Sequence, residues 1–209
     1  MILIEEVQIW GLGNALNAMR NPLESWEQGD TLSKLVGSND LALARKLIKA
    51  GPSHRKFLRQ ILIGISIRAP LYWWKEFDTY KVGTVANSCS TMHTIHKKEL
   101  SMEDFSLDYL NEDMLEWFKS KVLYQLNNLI GSYNVTKSKE DWYALIQLLP
   151  SSFNQFRYVT CNFETLYNIY ELRHNHKLEE WKKFCERLKD IAVFKQLMGG
   201  VLWNEEVQE

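Results

Sequence analysis

The sequence predicts an α+β fold, and three observations predict it. Strand-like segments are few and helix-like segments many, without strict alternation along the chain. Ile61, Ile63, Ile65 and Ile67 alternate with Leu62, Gly64, Ser66 and Arg68, which marks a core strand with one β-branched face. Met114, Phe118, Val122 and Leu126 recur at four-residue steps, which marks a long amphipathic helix. A chain of 209 residues suits one domain with a sizeable core. The expected layout is a single domain over residues 1–209 with a central sheet packed by long helices. A variable helical insertion is expected at about 95–140 and a loose tail at about 199–209.

Taken in order, Ile2 to Trp10 alternates loosely and reads as a strand, after which Gly11 and Gly13 turn the chain. Gly-x-Gly after a strand invites a dinucleotide reading, but Leu16 stands where the third glycine belongs. Asn21 to Asn39 is polar and irregular and reads as a loop. Asp40 to Ala50 reads as a helix closed by Gly51, with Leu43, Leu47 and Ile48 on one face. The core strand is expected over Phe57 to Arg68. Pro70 then sits in the first turn of a helix over Leu71 to Tyr80, where its missing N–H costs nothing. Gly83 to Thr94 is small and polar, a poor core element that suits backbone approaching a ligand. A helix over Glu112 to Leu129 follows, then one capped by Ser138 and Asp141 and ended by Pro150. Phe156 to Phe163 is a second core strand. Glu164 to Arg173 and Leu178 to Phe194 are helices, the latter with Trp181, Phe184, Leu188 and Ile191 along one side.

Composition sets limits on function. Lys plus Arg number 25 and Asp plus Glu 26, so no global basic field exists to hold nucleic acid or an anionic membrane. No apolar run of about 18 residues predicts a membrane span. Glu5 and Glu6 interrupt the apolar N-terminus, which does not read as a signal peptide. Cys89, Cys161 and Cys185 are odd in number and widely spaced, which favours a reducing, cytoplasmic compartment over a disulfide framework. The 8 tryptophans suit either an aromatic core or a flat, ring-shaped ligand. His93 and His96 have metal-ligand spacing on a helix but no third ligand nearby, so no metal is expected.

Thr160 to Arg173 carries the most chemistry. Asn162 ends a strand, and Asn168 and Arg173 follow on the adjoining helix. Such a junction can offer donors and acceptors to a planar heterocycle and an anion, or Asn162 can simply cap the helix. From Leu149-Pro150 to Arg173 the chain resembles the C-terminal signature of flavin-dependent thymidylate synthases. That signature is Leu-Pro followed by Thr-x-Asn-x-Arg-x-Leu-x-Asn-x-x-x-Leu-Arg. Thr160, Asn162, Leu166, Asn168, Leu172 and Arg173 fall in register, and Glu164 replaces the internal arginine. Upstream, Ser53-His54-Arg55 takes the place of the family's Gly-His-Glu. The hallmark Arg-His-Arg-x-x-Ser-x-Asn-Glu-x-Ser-x-Arg-Tyr is matched in placement by Thr79 to Met92, with Lys81, Thr84, Asn87 and Cys89 as the nearest equivalents. Glu76 stands where the family commonly has Gln.

The resemblance implies an α+β homotetramer that binds FAD and dUMP. It implies reductive methylation of dUMP to dTMP, with NADPH and methylenetetrahydrofolate as co-substrates. By position, His54, Tyr80, Lys81, Asn162 and Asn168 would face the flavin. Glu76, Asn87, Cys89 and Arg173 would face the nucleotide, with Glu76, Asn87 and Arg173 as the catalytic set. Cys89 reads either as an activated thiol or as a small packed residue. Thr79, Thr91 and Ile146 replace arginines that the family uses on the substrate. A charge-assisted hydrogen bond is worth roughly 1.5–3 kcal/mol, so three losses remove about 5–9 kcal/mol unless Arg68, Lys75 or Arg157 compensates. Two other readings use the same fold: a divergent member that binds or modifies another nucleotide, and a non-catalytic homo-oligomeric binding protein.

Overall fold

The computed structural model describes residues 2–32 and 35–204. Among these, β1 (Leu3–Trp10), β2 (Leu62–Pro70), β3 (Val85–Ser88) and β4 (Asn154–Asn162) form one antiparallel sheet in the order β1-β2-β4-β3. The helices are α1 (Leu12–Ala18), α2 (Ser38–Lys49), α3 (Leu71–Phe77), α4 (Thr91–Thr94), α5 (Glu112–Trp117), α6 (Tyr124–Thr136), α7 (Lys139–Leu148), α8 (Phe163–Arg173), α9 (Glu179–Lys189) and α10 (Ala192–Met198). None of the described helices is long and apolar enough to cross a membrane.

Ile61, Ile63, Ile65 and Ile67 are all buried, as their spacing predicts, but of the residues between and after them only Leu62 and Arg68 are exposed, and Gly64 and Ser66 are buried as well. The strand starts at Leu62 rather than Phe57. Lys56–Gln60 is a 3-10 turn that buries both Phe57 and Leu58. Gly64 is required where it stands, since a Cβ there would strike the Tyr158 hydroxyl and the Trp10 ring. Gly11 has φ +78 and starts α1 at once, so Gly13 lies within a helix rather than in a turn. Pro70 is the extended residue before α3, not its first turn, and α3 ends at Phe77 instead of Tyr80. The small polar stretch after Gly83 contains β3, an edge strand with all four residues exposed, which the sequence reading missed.

The chain divides into two compact units. The first is built mainly from Ile67–Thr79 and Asn87–Arg157. Its core gathers Ile95, Leu100, Phe105, Phe118, Leu123, Leu126, Ile130 and Leu145. A π-helical stretch, Phe118–Leu123, joins α5 to α6. Met114, expected on the buried face, is 52% exposed. Ser138 caps α7 by accepting the backbone N–H of Asp141. Trp73 and Trp74 are fully buried and meet edge to face at 4.9 Å, and the Trp74 indole N–H donates to the Gln155 carbonyl at 3.0 Å. These rings are core.

The second unit holds Ile4–Ser66, Tyr80–Ala86 and the chain from Tyr158 on. In α2 the buried residues are Asp40, Ala44 and Ile48, whereas Leu43 and Leu47 line an open groove of about 1040 Å³. Asp40 lies inside because it accepts from Arg20 Nε at 2.7 Å and from the backbone N–H groups of Asp30 and Thr31. The single helix expected over Leu178 to Phe194 is two, α9 and α10, broken at Asp190-Ile191. On one continuous helix Leu197 would lie roughly 160° round from Trp181. The break turns both Phe194 and Leu197 inward, and both are fully buried. The chain after Gly199-Gly200, expected to be loose, returns Trp203 onto Tyr170 at 5.0 Å between ring centroids. Gly199 also bridges to Trp203, and residues 205–209 lie outside the described residues.

Candidate functional site

In the second unit, β4 runs directly into α8, and Asn162 occupies the junction. Its Oδ1 accepts the backbone N–H of Thr165 at 2.9 Å, so the residue does cap the helix. The cap consumes the carbonyl oxygen and leaves the NH2 group, which points toward Gly83. A Cβ on Gly83 would sit 2.5 Å from that nitrogen, and Gly83 has φ +69, so glycine is needed there on two grounds. The Thr165 hydroxyl lies 3.3 Å from the Val82 carbonyl oxygen, which ties the loop carrying Lys81 to α8.

Two residues beyond Asn162, Glu164 is buried despite its charge. Arg55 Nε lies 3.1 Å from both of its carboxylate oxygens, and the two side chains are 9% and 11% exposed. The Arg55 guanidinium also stacks 3.9 Å over the Tyr167 ring, and its Nη2 donates to Asn168 Oδ1 at 3.4 Å. Burial raises the Tyr167 phenol, and the hydrogen bond it donates to Glu171 raises it further. His54, next to Arg55, is exposed and lines the groove beside α2. Arg173, at the end of α8, donates from Nε to the Tyr80 hydroxyl at 2.8 Å and lies 5.0 Å from the Trp181 ring centroid. The predicted set His54, Tyr80, Lys81, Asn162, Asn168 and Arg173 therefore falls within one unit, linked by Arg55, α8 and the Tyr80 loop.

Glu76, Asn87 and Cys89 belong to the first unit. Asn87 and Cys89 are exposed, and Glu76 is half-buried at the end of α3. The backbone of Cys89 is fixed on both sides: its N–H donates to the Phe156 carbonyl at 2.9 Å and its carbonyl accepts from Gln155 Nε2 at 2.9 Å. Gln155 Oε1 in turn accepts from Arg157 Nε at 2.9 Å. Arg157 also binds Asp78 at 2.7 Å and stacks 4.3 Å over Trp74. Cys161 and Cys185 are buried, which pushes both thiols up to about 12. Among the described residues no group of three or more His, Cys, Asp or Glu is placed to hold a metal ion.

Sequence reasoning missed Arg55, Tyr167 and Gln155. A signal for Arg55 was present: Arg55 stands where the resembled family has an acid, and Glu164 where it has an arginine. Two departures of opposite charge are now one ion pair.

The fold is that of the flavin-dependent thymidylate synthases. A crystal structure of flavin-dependent thymidylate synthase ThyX from Helicobacter pylori, complexed with FAD and dUMP, superposes with a TM-score of 0.69 at 19% identity, over 95% of this chain and 98% of that one. A second ThyX structure from Helicobacter pylori, with FAD and dUMP, gives 0.71 at 17% over 95% and 100%. A UMP/dUMP methylase, PolB from Streptomyces cacaoi, bound with 5-Br dUMP, gives 0.62 at 16% over 94% and 91%. No protein-family model and no curated protein matches the sequence.

Proposed function

We propose that this chain is a flavin-dependent enzyme that methylates a pyrimidine mononucleotide, dUMP or a close relative, in a homo-oligomer. The observation that carries the reading is the Arg55–Glu164 pair. The two motif departures are mutually compensating, which supports the motif registers on which the residue assignments rest. Solved neighbours of the same fold bind FAD and dUMP or a brominated dUMP.

The residues present fit FAD. An isoalloxazine edge and a pyrophosphate are rich in acceptors. The cap leaves the Asn162 NH2 group as a donor, Arg55 engages only the oxygen of Asn168, and His54 and Lys81 are exposed. His54, Tyr80, Lys81, Asn162 and Asn168 would hold it. Bound there, the reduced flavin supplies the hydride, with NADPH and methylenetetrahydrofolate as co-substrates. The chain's own part is positioning and electrostatics. Arg55 orients Asn168 through its oxygen. Tyr80 accepts from the Arg173 guanidinium at its Nε, which holds that cation at the end of α8, where it would meet the nucleotide. Glu76, Asn87 and Cys89 would contact the nucleotide in this reading.

The test is the absorption spectrum of the purified protein near roughly 450 nm with added FAD, followed by titration with dUMP. A flavin spectrum perturbed by dUMP is the expected result. A second reading, a non-catalytic binding protein, is favoured by the internal contacts already made by Asn162, Asn168 and Arg173. A colourless protein that takes up neither ligand would support it.

A further inference from the structure

We infer that Arg68 is the anchor for the anionic group of this protein's ligand, replacing the arginine absent at Thr91. The inference rests on the nucleotide reading above for the identity of the ligand, but not for the existence of the anion site. Arg68 and Thr91 line the same small cavity of about 150 Å³ in the first unit, together with Cys89, Thr94 and Lys98. That volume suits a phosphate group and little more. Arg68 lies near the end of β2 with an exposed side chain. Its one described interaction is with the Phe156 ring, 5.9 Å from the guanidinium, and Phe156 lines the same cavity, so no described hydrogen bond or ion pair uses its donors. Arg157, the other nearby candidate, is already held by Asp78, Gln155 and Trp74.

The one acid in the cavity wall does not oppose an anion strongly. Asp104 accepts from Lys98 Nζ at 2.8 Å and from the Ser101 backbone N–H at 2.8 Å, so its charge is balanced locally. Arg68 then leaves the cavity with a net positive charge. The guanidinium fork suits two oxygens of one phosphate, and the Thr91 hydroxyl adds a third contact. The cation has moved from the loop, where the resembled family keeps it, to the strand across the cavity. The Cys89 backbone, clamped by Phe156 and Gln155, keeps the wall between them fixed.

The experiment uses the full chain and three probes: dUMP, deoxyuridine and inorganic phosphate. Calorimetric titration gives the affinity ratio of dUMP to deoxyuridine. In parallel, alkylation of Cys89 by neutral iodoacetamide is followed with and without phosphate, against sodium chloride of equal ionic strength. In the wild type dUMP binds about 10- to 100-fold tighter than deoxyuridine, and phosphate slows the alkylation. Arg68→Gln brings the ratio to near one and abolishes the protection, with deoxyuridine affinity and melting temperature unchanged. Arg68→Lys retains part of both. Binding of dUMP with a ratio indifferent to Arg68 overturns the inference and leaves the nucleotide reading standing. Arg68-dependent protection by phosphate without any dUMP binding supports the anion site and overturns the nucleotide reading. No response to any probe overturns both.

Discussion

Replacing Arg55 by Glu leaves two carboxylates in a space where each side chain is about one-tenth exposed. Glu164→Arg does the reverse and crowds two guanidinium groups under Tyr167. Breaking a buried pair by removing one partner costs about 3–5 kcal/mol, because the remaining charge has lost both water and partner. Arg55→Glu also forfeits the stack on Tyr167, worth about 0.5–2 kcal/mol. In a chain of this size each kcal/mol lowers the melting temperature by about 2–4 °C, so Glu164→Arg should melt about 6–20 °C low and Arg55→Glu about 7–28 °C low. The double variant Arg55→Glu/Glu164→Arg rebuilds the pair in the order of charges that the resembled family shows. It should recover most of the loss, with a coupling energy of at least about 2 kcal/mol from urea denaturation of all four proteins. Recovery will be incomplete, since a guanidinium rooted on α8 cannot lie over Tyr167 as Arg55 does. Single variants that each cost under about 1 kcal/mol and add in the double would refute the reasoning, and with it the register on which the site assignments depend.

Asn162→Ala should cost about 1 kcal/mol through the lost cap, with Asn162→Asp nearly neutral, measured by chemical denaturation. If Asn162 also donates to flavin, Asn162→Asp keeps stability and loses flavin affinity, which separates the two roles. At pH 8 only Cys89 should react rapidly with a thiol reagent, since Cys161 and Cys185 are buried with thiols near 12; three thiols should react in denaturant. For Asp40, burial pushes the carboxyl up, but hydrogen bonds from Thr31, Arg20 and the Asp30 and Thr31 backbone outweigh it and hold it below 3.8. The unfolded chain therefore takes the proton first. Asp40 stabilises fully above that value and the contribution disappears as pH falls through the lower folded one, so the stability gap to Asp40→Asn should narrow only below pH 3.8. Gly83→Ala should lower both stability and flavin affinity, because its φ of +69 and the nearby Asn162 NH2 group reject a side chain.

The elements most legible in the sequence were those whose burial is periodic. The Ile61 to Ile67 alternation and the Trp181, Phe184, Leu188 and Ile191 stripe lie where their spacing puts them, fully or almost fully buried. What failed was whatever depends on partners far along the chain. β3 carries no apolar signal because it is an exposed edge held by backbone pairing alone. The break at Asp190-Ile191 comes from the need to turn Leu197 inward, which no local propensity announces. In α2, Leu43, Leu47 and Ile48 read as one face; Ile48 is buried, but Leu43 and Leu47 are half-buried, and Asp40 is buried instead because Arg20 and Thr31, both loop residues, bind it. At the candidate site the residue types were readable but their engagements were not. Asn162 and Arg173 were identified, whereas the bonds that commit one face of each come from Thr165 and Tyr80.

The π-helical stretch between α5 and α6 has a consequence for how this chain tolerates changes in length. A π turn holds one residue more than an α turn needs, so Phe118–Leu123 carries a surplus residue inside an otherwise regular helix. Deleting one residue there should straighten the helix into plain α geometry. Leu126 and Ile130 keep their places in the core, and Glu112–Trp117 keeps its facing too, because the residue removed is the surplus one. Anywhere in Tyr124–Thr136 the same deletion throws the whole downstream face out of register. Relatives that differ by a single residue in this helix should therefore carry the gap at 118–123.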